Sequence, residues 1–190
     1  MDTSRRCSKQ VNGVKDDLGH LALLIQQRNT LDDQIARLIG RPAQLGHIGE
    51  YIASKVFNIT LTPIATTKGI DGHFADGPLT GRTVNIKFYP KMEGLLDMRL
   101  DGVPDFYLVL TGPRVLAMSS KGQPRPVSIQ AVFLLEGSAV VEDLTHRGRK
   151  VGVASSVRSA RWEAAEIFPR QANTRLILST EQRIMLELFQ

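Results

Sequence analysis

A single cysteine, Cys7, stands in 190 residues. That excludes an intramolecular disulfide and any thiolate cluster for zinc or an iron–sulfur centre, because each needs at least two thiols. Any metal must then be held by oxygen, with four histidines as the other available donors. No apolar run reaches the roughly 20 residues that a membrane-spanning helix needs. The first residues, "MDTSRRCSKQVN", carry two arginines but not the apolar centre of a secretory signal. The expectation is a cytoplasmic protein without membrane contact. Internal repeats and long polar tracts are also missing, which argues against extensive disorder, with the first dozen residues expected to form a loose basic tail.

What is present is an ordinary hydrophobic fraction, 42%, in a chain long enough to bury one core. A single domain is expected. The formal charge of +5 favours an acidic partner such as nucleic acid. Between His146 and Arg175 stand Arg147, Arg149, Lys150, Arg158, Arg161, Arg170 and Arg175 against Glu163 and Glu166, an excess of five that equals the net charge of the whole chain. This segment reads either as a phosphate-contacting surface or as a solvated basic face.

Leu21, Leu24, Leu31, Ile35 and Leu38 alternate spacings of three and four residues, interrupted by Arg28, so about Asp17 to Ile39 reads as helix, stopped by Gly40 and Pro42. "TLDD" from Thr30 to Asp33 resembles a capping box and predicts a break near Asn29. The stripe suits internal packing, or else the seam of a homodimer. A second helix is expected over Leu45–Phe57, where Gly46, Glu50, Ala53 and Phe57 share one stripe, so that small residues let the helix approach a sheet while Glu50 points inward.

Strands are predicted for "NITLTPIA", "GIDGHF", "TVNIKFY", "DFYLVLTG" and "RVLAM", with a partly helical link in "MEGLLDM". Further on, "SIQAVFLLEG", "KVGVAS" and "RLILS" read as strands, "SAVVEDL" and "SARWEAAEIF" as helices, and "TEQRIMLELF" as a closing helix capped by Ser179 and Gln182. The fold class is α/β. Within "TVNIKFY", Asn85, Lys87 and Tyr89 take one face of the strand and Val84, Ile86 and Phe88 the other.

If the strands carrying Asp71 and Lys87 pair as a hairpin, the two residues become neighbours, and Glu50 can reach them from a helix packed on that face. The glycines around Asp71 are expected to leave room for something to approach. Two carboxylates and an amide oxygen suit a hard divalent ion such as Mg²⁺ or Mn²⁺, and a lysine beside them can hold a phosphate or orient an attacking water. Each residue also has a plainer role: Asp71 as a turn aspartate, Lys87 as an exposed strand residue, Glu50 as a surface partner of Lys55 or Arg41. His47 and His73 read as hydrogen-bonding neighbours rather than ligands. Trp162 reads as a core anchor rather than a base-stacking platform.

The order of "GHIGEYIA", "GIDG" and "NIK" resembles the PD-(D/E)XK nuclease superfamily, and in particular a bacterial group with GxxGE, KGIDG and VxIK motifs. That resemblance implies a restriction-endonuclease-like core of helix, three strands, helix and strand over residues 45–111, an N-terminal helical extension over 1–44 and a C-terminal α/β extension over 112–190. It also implies Asp71 and Glu50 as metal ligands, Asn85 as a weaker one, Lys87 as the catalytic lysine, and DNA as the substrate. Lys68, Arg147, Arg149, Lys150, Arg158 and Arg161 are the expected phosphate contacts. Asn85 departs from the pattern, which usually has an acid there, although enzymes of the Mrr type are similar in carrying a neutral Gln. The neutral amide also opens a second expectation, a nucleic-acid-binding or assembly module of the same fold without catalysis.

Overall fold

The structure, a computed structural model, describes residues 3–63, 69–114 and 126–190, with residues 3–15 described by backbone alone. Lys68 and most of the expected strand at 114–118 lie outside the described residues. The chain divides into two compact units, residues 1–47 and 48–190.

The first unit holds α1 (Thr3–Ile39), a continuous helix of 37 residues. The expected loose tail and the expected break near Asn29 are both corrected. Instead of capping a new helix, Thr30 donates its hydroxyl to the carbonyl of Gln26 at 3.0 Å, a bond that keeps a threonine inside the helical ladder. Arg28 with Asp32, and Arg37 with Asp33, form ion pairs one turn apart across the same region. The helix ends at Gly40, whose φ of 70° is the left-handed stop anticipated from the sequence.

From there α2 (Leu45–Val56) leads into the strands β1 (Ile59–Leu61), β2 (Gly72–Phe74) and β3 (Thr83–Tyr89), as expected to within a few residues. Next come β4 (Leu95–Leu96), a 3₁₀ turn at Leu100–Gly102, β5 (Phe106–Thr111) and β6 (Ala131–Glu136). The chain closes with α3 (Gly137–His146), β7 (Ser155–Ser156), α4 (Ser159–Ala165), β8 (Glu166–Phe168) and α5 (Thr180–Glu187). One six-stranded sheet runs β1-β2-β3-β5-β6-β8, with β4 and β7 forming a separate ladder. Among the described residues only β3 and β5 pair in parallel, and the other pairings are antiparallel.

Several expectations change for local reasons. The link after β3 contains no α-helix: Leu95 and Leu96 pair with Ser156 and Ser155, and Leu96 and Met98 are buried. Helix α4 stops at Ala165, and Glu166–Phe168 joins the sheet against Val132 and Phe133, with Pro169 disfavouring helix at Phe168. Residues 150–154 and 175–179 make no ladder. In the latter, the amides of Arg175 and Leu178 are taken by the side chains of Asn173 and Gln171 at 2.8 and 3.1 Å. Beyond residue 126, β6 and β8 continue the same sheet. Trp162 is buried edge-on to Phe133 at 5.0 Å, so the core-anchor reading holds. The closing helix carries the expected capping box, and Gln182 also donates to the carbonyl of Val56 at 2.8 Å, tying α5 to the end of α2.

Candidate active site at the end of β2

Strand β3 is central, and both its faces are covered. A Cβ placed on Gly49 of α2 would stand 2.7 Å from Cβ of Phe88, so α2 lies against the face formed by Val84, Ile86 and Phe88. The other face carries Asn85, Lys87 and Tyr89. In the parallel ladder Asn85 is level with Tyr107, and Lys87 with Val109. Tyr107 and Val109 belong to the apolar cluster that includes Phe133, Val140 and Trp162, and Tyr89 packs against it. Asn85 is therefore buried, whereas Lys87 is half-buried.

Asp71 directly precedes β2. Its amide donates to Val84 at 2.9 Å, and its carbonyl accepts from the amide and hydroxyl of Thr62 at 2.9 and 3.1 Å. Its carboxylate Oδ2 accepts from the amide of Ile86 at 2.6 Å. In a longer hairpin a backbone carbonyl would take that amide, so the side chain ends the β2 ladder and sits at the edge of β3, level with Asn85. The register Gly72↔Val84 and His73↔Thr83 extrapolates to the same pairing. A third line of evidence comes from Tyr107: burial lifts its hydroxyl above the usual phenol range, a backbone hydrogen bond at Arg99 works against this, and the negative charge of Asp71 adds to the rise. Asp71, Asn85 and Tyr107 thus share one neighbourhood.

The glycines beside Asp71 have a different role from the expected one. A Cβ on Gly69, whose φ is 80°, would lie 2.2 Å from the carbonyl oxygen of Gly102, and one on Gly72 would lie 2.5 Å from that of Thr60. What comes close is the protein's own backbone, clamping both sides of Asp71. The carboxylate is consequently held in a defined place.

Asn85 is 5% exposed, and among the described residues its Oδ1 has no hydrogen-bond donor. An orphaned buried carbonyl oxygen costs about 1–3 kcal/mol, and such groups concentrate where a protein spends stability on function. Beside a carboxylate, this oxygen fits a hard cation, which prefers oxygen ligands and tolerates an amide among them. Asn85→Leu is expected to raise the unfolding free energy by about 1 kcal/mol in chemical denaturation, since similar volume replaces an unsatisfied polar group. A drop in stability would show that the amide carries its weight in the fold.

The four residues expected at the site divide unevenly. Asp71 and Asn85 are adjacent, and Lys87 follows on the Asn85 face. Glu50 stands on α2, which packs through Gly49 against Phe88, on the face of β3 opposite Asn85 and Lys87. Among the described residues no group of three or more His, Cys, Asp and Glu side chains is placed to hold a metal. His73 is exposed, and Nδ1 of His47 lies 2.9 Å from the carbonyl oxygen of Pro42.

The basic segment is organised by a residue that sequence reasoning passed over. Asp143, with its side chain 5% exposed, receives Arg147 at 2.7 Å, Arg158 in a shorter contact and Arg161 at 3.9 Å. Burial works to raise its pKa; the hydrogen bond from Arg147 and the charges of all three guanidiniums outweigh this and hold it below the usual carboxylate range. Arg170 pairs with Glu166, and Arg175 with Glu136 at 2.9 Å. Extending the count back to Glu136 lowers the local excess from five positive charges to two. Arg149 and Lys150 are exposed. The signal for Asp143 was its four-residue spacing to Arg147, the standard helical ion pair.

A second, half-buried link secures β3 itself. Asp105 accepts from the amide and hydroxyl of Thr83, both at 2.8 Å, while its own amide donates to the Thr83 hydroxyl at 2.9 Å. The Thr83 amide does most to hold the Asp105 carboxyl below its ordinary 3.8, with the hydroxyl and the charge of Arg82 adding to it against the opposing effect of burial. A lowered folded-state pKa adds stability above the unfolded value that fades as pH falls through the folded one. Asp105→Asn is therefore expected to lose about 1–2 kcal/mol at neutral pH, and the gap from the parent protein to narrow below roughly pH 4 in acid titrations followed by circular dichroism. A constant gap would remove the carboxylate from the explanation.

No protein-family model and no curated protein matches this chain.

Proposed function

We propose that this chain is a metal-dependent nuclease of restriction-endonuclease-like fold that hydrolyses phosphodiester bonds, with DNA as its substrate. The observation that carries the reading is the unsatisfied Asn85 Oδ1 beside the Asp71 carboxylate, at the edge where β2 stops, with Lys87 next on the same face. Asp71 and Asn85 would hold the ion, with Glu50 completing the set from the far side of the β3 edge. A bound Mg²⁺ or Mn²⁺ supplies Lewis-acid stabilisation of the charge that develops on phosphate oxygens. Lys87 places an ammonium beside those oxygens and orients the attacking water. Lys87 is half-buried and level with Val109, and reduced solvent around it would strengthen its field at the phosphate relative to open water.

Asp71 is preorganised for this role, because the Ile86 amide and the two backbone clamps fix the carboxylate before any ligand arrives. The exposed Arg149 and Lys150, with the outer edges of Arg158 and Arg161, offer charge to a polyanion. Titration calorimetry with Mg²⁺ and Mn²⁺ tests the metal before a substrate is known: the parent protein is expected to bind and Asp71→Ala to fail. Equal binding by both would end the reading.

The neutrality of Asn85 favours a second reading, a nucleic-acid-binding module that keeps the fold without cleavage. There, DNA binding is salt-dependent and indifferent to Asp71→Ala, and Asn85→Asp alone introduces strong cation binding.

A further inference from the structure

We propose that α1 pairs with α1 of a second copy as an antiparallel two-stranded coiled coil over residues 20–39. This inference is independent of the reading of the Asp71 site. Taken by itself, α1 presents Leu21, Leu24, Leu31 and Leu38 at exposures of 51%, 48%, 58% and 71%, flanked by Leu18 and Ile25, which are about half exposed. With Arg28 and Ile35 these positions alternate spacings of three and four residues, the period of a left-handed two-helix seam rather than of a helix laid on a sheet. Such a seam calls for a partner helix of matching length and repeat. Among the described residues of this chain the other helices span 12 residues or fewer, so the sequence that supplies the match is a second α1.

Arg28 decides the orientation. In a parallel pair it would face its own copy at the centre of the seam, placing like charges in an apolar layer. An antiparallel pair with its two-fold axis between Asn29 and Thr30 avoids this. That axis sets Leu21 against Leu38 of the second copy, Leu24 against Ile35, and Arg28 against Leu31, so that every apolar seam residue meets an apolar partner or an arginine stem. Flanking positions then match Leu18 with Ile39 and Gln27 with Gln34. Arg28 lays its methylenes along Leu31 and brings its guanidinium near Asp32 of the second copy, the type of partner it already has at 3.4 Å in its own helix. The overlap extends about 30 Å at 1.5 Å per residue.

Sedimentation equilibrium of the full chain at ~50 µM is expected to give twice the 21.0 kDa chain mass, and the double variant Leu24→Glu/Leu31→Glu to give the chain mass with the unfolding transition of the β-sheet unit retained. Orientation is read by oxidative cross-linking in a Cys7→Ser background. Leu24→Cys/Ile35→Cys is expected to form a covalent dimer, and Leu24→Cys alone is expected to remain uncrosslinked. Arg28→Leu added to the latter should release the orientation and allow the single cysteine to link. A monomeric parent protein, a higher oligomer, or efficient linking by Leu24→Cys alone would overturn the proposal.

Discussion

Asp71→Ala is expected to lower metal-dependent DNA cleavage by about 10³-fold or more while the protein stays folded, a loss of roughly 4 kcal/mol of transition-state stabilisation. The magnitude follows from the role proposed for the side chain: it would be the charged oxygen donor at the β3 edge level with Asn85, and without it a cation would keep only a neutral ligand on β3. The structural cost is smaller. The Ile86 amide loses its acceptor at the β3 edge, worth about 1–2 kcal/mol, whereas the backbone bonds of Asp71 to Val84 and Thr62 remain. The measurement is single-turnover cleavage with Mg²⁺ and Mn²⁺ alongside thermal unfolding. Asp71→Asn sharpens it, because an amide can turn its oxygen toward Ile86 and conserve the fold, yet brings no charge to the cation. Cleavage retained by folded Asp71→Asn would remove this carboxylate from the chemistry.

Lys87→Met is expected to cost about 10²–10³-fold in turnover without weakening the cation. A methionine fills the volume of the lysine stem on the half-buried face next to Val109, so stability should change by less than about 1.5 kcal/mol. The sign of the effect on metal affinity separates the roles. Removing a positive charge a few ångströms from a dication relieves repulsion, so calorimetric affinity should hold or rise while cleavage falls. Lys87→Arg is not expected to rescue, since a planar guanidinium on a longer stem cannot stand where a compact ammonium stood. Parallel loss of metal binding and cleavage would mean that Lys87 supports the site's shape instead of acting on substrate.

Much of this architecture could be read in residue order. Alternation in "TVNIKFY" assigned the two faces of β3. The stripe of Gly46, Glu50, Ala53 and Phe57 anticipated a close helix but missed its contact: Gly46 is exposed, and the glycine that meets Phe88 is Gly49, with Ile52 and Val56 buried beside it. The prediction went astray where long-range pairing competes with local propensity. Leu95 and Leu96 read as part of a helical link, yet they ladder with Ser155 and Ser156, some 60 residues away, a partner no local window contains. Glu166–Phe168 read as a helix end for the same reason, and it became an edge of the main sheet.

The candidate site shows a similar division. Residue types and spacing singled out Asp71, Asn85 and Lys87, because strand periodicity and a turn before β2 are local properties. Which face receives α2 is not local: it packs through Gly49 against Phe88, on the face opposite Asn85 and Lys87. The basic segment is the clearest case: composition registered seven positive charges, but only packing revealed that three of them converge on one buried aspartate.

By itself the sequence determined the alternation of faces, the helix stop at Gly40 and the chemical types at the β2–β3 edge, since these depend on neighbours a few residues apart. Tertiary structure alone decided which backbone clamps Asp71, that Asn85 is buried with its oxygen unanswered, and where the positive charge is spent. Those outcomes depend on contacts between segments far apart in the chain, and the energy of such contacts has no signature in any short window.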